Sequence, residues 1–317
     1  MTAVQAIAIA LLALATGYAI RRGSICAVLA TRALMRHGSS ARMRAFGFAA
    51  IAAAVVLVPL SWIAPGTASL SEGYPIGLAV LIGGALFGVG ARINDACAMG
   101  TLAHLTGGRM DYLFTLAGMA GGAAVAHGLG TVPSEMPSPT LMAQPSARTV
   151  LILLVCVLIV GGTLRRRLDV WVRDLLRPAP TRFGPFRAML IVGVCGGTLY
   201  GIAGGWTYFA LLSERAARLV APGVVPTATG ASLAAGALVA GGILAAWRSH
   251  SFRWRSPMPQ KASQCLAGGV LMGAAAAIVP GGNGMLLTYG LPSLAPHAIA
   301  AYGAMTMVLC LTFLRFR

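Results

Sequence analysis

Charged and polar side chains interrupt a long apolar run in the first third of the chain. Residues 83–105 read GGALFGVGARINDACAMGTLAHL, and Arg92, Asn94, Asp95 and Cys97 fall within six positions. Charged groups at membrane depth are costly and face a protein-lined or aqueous path. The stretch therefore predicts a membrane helix that stops near mid-bilayer, followed by a half-helix over 96–106 with Asp95 as its N-cap. The local alternative is a kinked structural helix with an Arg92–Asp95 pair.

A second copy of this stretch favours the broken helix. Residues 268–307 match 83–122 at an offset of 185, so that Gly83 and Gly118 recur as Gly268 and Gly303. An earlier part matches at an offset of 182, where Thr16 and Tyr18 recur as Thr198 and Tyr200. Interrupted helices at matching positions of two halves are typical of transporters built from inverted repeats.

Composition assigns the chain to the membrane. Hydrophobic residues make up 57% of the 317 residues and charged residues 10%, whereas a soluble domain carries about 25% charge. The net charge of +17 is almost entirely arginine, placed in short loops between apolar runs. It therefore indicates membrane topology and no nucleic-acid partner. The N-terminus lacks a basic segment and a cleavage site, so we expect a first span and no removed signal peptide.

The apolar runs predict an all-α polytopic membrane protein with about nine spanning helices and four short half-helices, arranged as an inverted repeat. The expected spans are 2–20, 45–63, 75–91, 110–128, 149–164, 188–203, 229–247, 263–279 and 296–314. The expected half-helices are 23–35, 96–106, 205–219 and 282–291. The division is a first repeat over 1–130, a connector over 131–187 with one extra span, and a second, inverted repeat over 188–317.

Loop charges predict the orientation. The loops 36–44, 165–187 and 248–261 are rich in arginine, as is the C-terminus, whereas 64–74, 129–147 and 221–227 carry little charge. The positive-inside rule makes the first set cytoplasmic, with the N-terminus outside and the C-terminus inside. Within 165–187 we expect a short helix at the membrane surface.

Two cysteines differ from the other four. Cys26 and Cys97 each adjoin a break and basic residues, whereas Cys156, Cys195, Cys265 and Cys310 lie in or at the start of apolar runs. The six cysteines form no CxxC motif, so a disulfide framework is not expected. No cofactor and no metal are expected either. A thiol suits a sulfur-containing anion, because S–H is a weak donor and sulfur is polarizable.

The segments RRGSICAVLATRAL (residues 21–34) and GARINDACAMG (residues 90–100), with the C-terminal echo, resemble the YeeE/YedE sulfur-transport family. Members are bacterial inner-membrane proteins that take up thiosulfate or are linked to selenium handling. The resemblance covers nearly the whole chain and implies an hourglass-shaped bundle with four short pore helices. It also implies that cysteines at the narrow part pass the anion along by hydrogen bonds, a role that carries over to Cys26 and Cys97.

The family pattern places a further cysteine in the last broken helix. Here residues 280–284 read PGGNG, so we expect Asn283 on the same path as Cys97. An amide donates more strongly than a thiol, which predicts a more polar and less sulfur-selective end of the path. The alternative for Asn283 is a helix cap. Arg32, Arg92 and Asn94 are candidates to attract or orient the anion.

We therefore expect a transporter, not an enzyme, for thiosulfate or a related sulfur anion in the bacterial inner membrane. Two alternatives stay open. One is a membrane thiol or persulfide relay enzyme, and the other is a permease for a different anion such as sulfate or a selenium oxyanion. Candidate partners are the small sulfur anion, the lipid bilayer and a cytoplasmic sulfur-carrier protein.

Overall fold

Helices dominate because a chain in hydrocarbon must satisfy its own backbone hydrogen bonds. The computed structural model describes residues 2–131, 138–176, 183–221, 229–279 and 281–315. Within these residues the longer helices are α1 Ala3–Gly23, α3 Ala41–Ile63, α4 Leu78–Asn94, α6 Tyr112–Gly128, α7 Ala147–Leu176, α8 Pro185–Ala203, α10 Thr229–Arg248, α11 Pro259–Ile278 and α13 Pro296–Arg315. The short helices are α2 Ala27–His37, α5 Ala98–Leu105, α9 Tyr208–Val220 and α12 Asn283–Met285.

The all-α polytopic fold is confirmed. Eight helical segments of the described chain are long and apolar enough to cross a membrane, and the same residues contain no β-strand. The expected span over 110–128 is α6, which has 17 residues. At 1.5 Å per residue it measures about 26 Å, the lower limit for crossing a hydrocarbon core.

The helices pack in pairs that recur when the two halves of the chain are exchanged. Helix α1 packs on α10 as α8 packs on α3, and α4 packs on α13 as α11 packs on α6. The pairs α1–α8 and α4–α11 each join a helix to its counterpart. An inverted repeat predicts this pattern, which supports our proposed division at 130 and 188. Helix α7 contacts α3 and lies outside the pattern.

Glycines bring the paired helices close together at matching positions. A Cβ atom on Gly84 would collide with the carbonyl oxygen of Ala301 in α13. One on Gly269, 185 residues later, would collide with the carbonyl oxygen of Thr115 in α6. Small residues allow such backbone contact between membrane helices, where the hydrophobic effect adds little. These two glycines therefore fix how closely each half packs against the other.

Several helix ends lie a few residues from the predicted bounds, as at α4, which covers Leu78–Asn94 where 75–91 was expected. Two further features differ in kind. Helix α7 continues without a break to Leu176, so the separate surface helix expected within 165–187 is wrong. No glycine or proline interrupts residues 163–176, and the helix extends beyond the bilayer core. The last half-helix also differs, because α12 continues as a π-helical turn over Leu286–Gly290. Residues 132–137 and 222–227 of two expected loops, residues 177–182, Pro280 and Arg317 lie outside the described residues.

Candidate functional site

The four short helices begin next to one another. The residues preceding them, in chain order, are Cys26, Cys97, Thr207 and Gly282, and each has extended backbone. The backbone N–H of Ala27 in α2 donates to Cys97 Sγ at 3.3 Å. The Tyr208 hydroxyl of α9 donates to the Ala98 carbonyl of α5 at 2.6 Å. We call this meeting point of the four helix starts the waist.

Two thiols face each other at the waist. The Cys97 thiol interacts with the Cys26 thiol and lies against the start of α2. Cys97 is fully buried and Cys26 is 7% exposed. Gly100 leaves the space for this contact, since a Cβ atom there would lie 2.7 Å from Cys26 Sγ. The fold thus brings together the two cysteines that the sequence singled out, which are 71 residues apart (97 − 26).

Asn283 is a further neighbour of Cys97. Its side chain faces the Cys97 thiol and is fully buried. Among the described residues, neither its amide oxygen nor its amide nitrogen has a partner at normal hydrogen-bond geometry, and its polar neighbour is the Cys97 thiol. Gly282 precedes α12 and Asn283 makes no capping bond, so the cap alternative is wrong. A buried amide in this state costs about 1–3 kcal/mol relative to a paired one and calls for an explanation.

A cavity of about 250 Å³ adjoins the waist. Its lining is mostly apolar and includes thioether and aromatic side chains, among them Met99, Met285, Tyr200, Trp206, Tyr208 and Phe209. The Trp206 indole N–H is buried and has no hydrogen-bond partner within the described residues. The lining also includes Glu214, whose carboxylate forms a salt bridge with Arg218 at 3.5 Å. The cavity thus combines soft, polarizable walls and a few N–H donors with one carboxylate that is paired with an arginine.

The electrostatics of the waist favour an anion. Helices α2, α5 and α9 direct their N-termini at it, and each N-terminus carries roughly half a positive charge. The residues that start the four short helices include no carboxylate. No cluster of histidine, cysteine, aspartate or glutamate in the described chain could hold a metal ion.

Asn94 is bound within the protein. Its amide nitrogen donates to the Ala96 carbonyl at 2.7 Å and to Thr101 Oγ1 at 3.0 Å. The Thr115 hydroxyl donates to Asn94 Oδ1 at 2.7 Å. The side chain therefore ties the end of α4 to α5 and α6, and the geometry gives it a positioning role rather than substrate contact.

Asp95 neither caps α5 nor pairs with Arg92, and both expectations are wrong. It ends α4 with a φ of 61°, a left-handed conformation that aspartate tolerates better than most residues. Ala96 separates Asp95, which follows α4, from Cys97, which precedes α5. Asp95 forms a salt bridge with Arg32 of α2, and the pair joins the two breaks that carry the cysteines.

Arg32 and Arg92 converge on one aromatic ring. Their guanidinium carbons lie 5.5 and 4.8 Å from the centre of the buried Phe313 ring. A cation–π contact restricts the motion of a guanidinium group but leaves its positive charge in place. Both arginines thus lie beside the break that carries Cys97, in a cluster of their own.

Sequence reasoning missed the contribution of α9. Trp206 and Tyr208 lie at the waist or in its cavity, yet neither was a predicted site residue. A signal was present, because the offset of 182 pairs Cys26 with Tyr208. Phe313 carried no such signal, since its three arginine neighbours come from distant parts of the chain.

The broken helices that meet at a buried waist are typical of polytopic membrane proteins of the transporter class. Residues 22–311 match the profile of a family described as Sulphur transport. The match covers nearly the whole chain, and the protein belongs to this YeeE/YedE sulphur transport family. Comparison with curated proteins gives no match.

Proposed function

We propose that this protein transports thiosulfate or a closely related sulfur anion across the bacterial inner membrane. The observation that carries the proposal is the meeting of Cys26 and Cys97 at the starts of α2 and α5. A thiol donates a weak hydrogen bond and offers a polarizable surface to the terminal sulfur of thiosulfate. Weak contacts at several sites allow both binding and release, as conduction requires.

The path begins in the cavity beside α9 and α12. The anion is held there by soft side chains such as Met99 and Met285, with N–H groups directed at its oxygens. It then passes Asn283 and Cys97 to reach Cys26. The N–H groups of the Asn283 amide find an acceptor on this path, because a passing oxyanion accepts hydrogen bonds from them. Arg32 and Arg92 attract the anion toward the arginine-rich end.

Membrane energetics restrict the mechanism. Moving a dianion inward against about 100 mV costs about 5 kcal/mol, twice the value for one charge. Uptake must therefore be coupled to an ion or driven by consumption of the substrate inside. A cytoplasmic sulfur-carrier protein would supply the second route. The orientation that this requires has the N-terminus outside and the C-terminus inside.

A second candidate function is a thiol or persulfide relay, an enzymatic activity. A relay needs an attacking thiol and a resolving thiol close together. The chain has no CxxC motif to supply such a pair, but the contact of Cys26 with Cys97 supplies one. A permease for sulfate or a selenium oxyanion is favoured by Asn283, whose amide suits oxygen better than sulfur. In the transport proposal the protein is not an enzyme.

The serine double variant Cys26→Ser/Cys97→Ser separates transport from the relay. Hydroxyl groups keep the hydrogen bonds but cannot carry sulfur, so a transporter retains partial uptake of ³⁵S-thiosulfate into proteoliposomes. A relay loses all activity. Uptake abolished in the serine variant of a correctly folded protein would contradict passage by hydrogen bonding. Side-selective labelling of single cysteines at Glu72 and Arg165 tests the orientation, because the two should react from opposite sides.

A further inference from the structure

A second positive site lies at the other end of α5, away from the waist. A cavity of about 230 Å³ there is lined by Arg21, His104, Gly107, Arg109, Ser251, Arg253 and Arg255. We call it the basic cavity. Four of its seven lining residues are arginines and none is acidic. Helix α5, whose start carries Cys97, ends beside it after eight residues, a distance of about 12 Å.

Backbone hydrogen bonds build one wall of the basic cavity. The N–H of Arg253 donates to the Gly107 carbonyl at 3.0 Å, and the N–H of Arg255 donates to the Gly108 carbonyl at 2.8 Å. The Met110 N–H donates back to the Arg255 carbonyl at 3.2 Å. The loop after α10 is thereby fixed against the loop after α5. The backbone of two exposed arginines is thus held at a defined position, which distinguishes this cavity from a charged surface on a loop without such bonds.

Side chains fix the other wall. Arg21 donates to the Ala103 carbonyl at 3.1 Å and to Ser251 Oγ at 2.9 Å. The His104 ring stacks on Tyr112 with ring centres 4.7 Å apart. The guanidinium of Arg109 lies over the same tyrosine, 5.1 Å from the ring centre. These contacts orient the lining groups before any ligand arrives, which lowers the entropy lost on binding.

The charge of this cavity is not neutralised by the protein. In the part of the chain that the structure describes, no carboxylate lies within ion-pair distance of Arg109, Arg253 or Arg255. Guanidinium groups bind the oxygens of tetrahedral anions through paired N–H donors. Several guanidinium groups around one open cavity suit a doubly charged oxyanion better than a singly charged one.

We propose that the basic cavity is a second anion site, which binds a dissolved divalent tetrahedral oxyanion. Thiosulfate leaving the waist has this chemistry, and sulfate shares its charge and shape. The identity of the natural ligand rests on the proposed function, whereas the site itself does not. In the transport cycle the cavity receives the anion after Cys26 and Cys97 and holds it until release at the arginine-rich end.

Equilibrium binding of ³⁵S-thiosulfate and ³⁵S-sulfate tests the site. The protein is the full chain carrying Cys26→Ala and Cys97→Ala, in nanodiscs of neutral phosphatidylcholine, so that the sulfurs of the waist do not contribute. We expect saturable binding of both anions. Adding Arg253→Gln and Arg255→Gln should weaken it about tenfold or more, since two of the four charged donors are lost.

The matched control removes the same charge elsewhere. Arg44 and Arg248 are exposed, lie at the start of α3 and at the end of α10, and do not line the cavity. Arg44→Gln/Arg248→Gln should leave the affinity within about twofold, because separated surface charges are screened by salt. Equal weakening by both pairs, no weakening by the cavity pair, or binding that needs an anionic lipid would each overturn the proposal. If the wild-type protein does not transport thiosulfate but the basic cavity binds it as expected, the proposed function is contradicted and the second site is not.

Discussion

Cysteine precedes both short helices of the first half of the chain, whereas Thr207 and Gly282 precede those of the second half. The backbone is the same in all four places, because each short helix begins at the waist from an extended residue. Cys26 and Cys97 lie in contact, but the second half leaves a cavity beside its helix starts. Backbone geometry thus supplies the positive end of each helix, and we propose that the residue placed there sets which anion suits it.

The residues that follow differ in the same way. Alanine follows each cysteine, so the first half contributes only backbone and sulfur. Tyr208 and Asn283 are larger and reach across to the first half, the former to the Ala98 carbonyl and the latter toward Cys97. The first half therefore offers thiols and the second half offers stronger hydrogen-bond donors. The predictions below separate these two contributions.

Removing either thiol should have the largest effect. Cys26→Ala and Cys97→Ala should each lower thiosulfate uptake about tenfold or more, equivalent to about 1.4 kcal/mol in the limiting step. The measurement is initial uptake rate in proteoliposomes at matched protein content. Cys195→Ala and Cys310→Ala are the controls, since these half-buried thiols are outside the waist. Uptake at the wild-type rate in either waist variant would remove that thiol from the mechanism.

Filling the space behind Cys26 should have the next largest effect. A methyl group at Gly100 would press on Cys26 Sγ at 2.7 Å, whereas at Gly284 the nearest atom, Met99 Cε, lies at 3.5 Å. Gly100→Ala should therefore lower uptake about fivefold, at the low end of overpacking costs, and Gly284→Ala should change it little. Equal losses in the two variants would show that the contact between the cysteines does not limit transport.

Replacing the amide should change selectivity rather than rate. Asn283→Cys gives the second half a thiol opposite Cys97, and the amide that suits oxygen is lost. We expect sulfate and selenate to inhibit thiosulfate uptake about threefold less well than in the wild type. Competition assays at fixed thiosulfate measure this directly. An unchanged inhibition ratio would show that Asn283 does not contact the anion.

Breaking the ion pair between the two cysteine-bearing breaks should have the smallest effect. The side chains of Arg32 and Asp95 are 33% and 40% exposed, and exposed pairs contribute about 0–1 kcal/mol. Asp95→Asn should lower the melting temperature of the protein in detergent by only about one to two degrees, because the free energy lost is small. Uptake should stay near the wild-type rate. A large loss of uptake without unfolding would instead make the pair part of the pathway.

Local sequence signals located the helices and the breaks. Apolar runs that end at polar residues, as at Arg21 and Arg92, were enough to separate spans from half-helices, because bilayer thickness sets the length of a span. The same logic failed for α7, whose length is set by the lack of a helix breaker after the span. The π-helical turn after Asn283 also left no mark in the apolar pattern.

Contacts between residues far apart in the chain could not be predicted from the sequence. Asp95 has Arg92 three residues away, yet it pairs with Arg32, 63 residues away, because the left-handed turn at Asp95 redirects its side chain. The juxtaposition of Cys26 with Cys97 was expected only from the family resemblance. The contribution of Trp206 and the basic cavity required the packed structure, since loops far apart in sequence form both.

Counterflow tests the central claim that this chain alone moves a sulfur anion across a bilayer. Proteoliposomes containing only the purified protein are loaded with unlabelled thiosulfate and diluted into trace ³⁵S-thiosulfate. We predict a transient accumulation of label that is absent from liposomes without protein and from the Cys26→Ala/Cys97→Ala variant. Label that never exceeds the level of protein-free liposomes, in vesicles with correctly folded protein, would contradict the account.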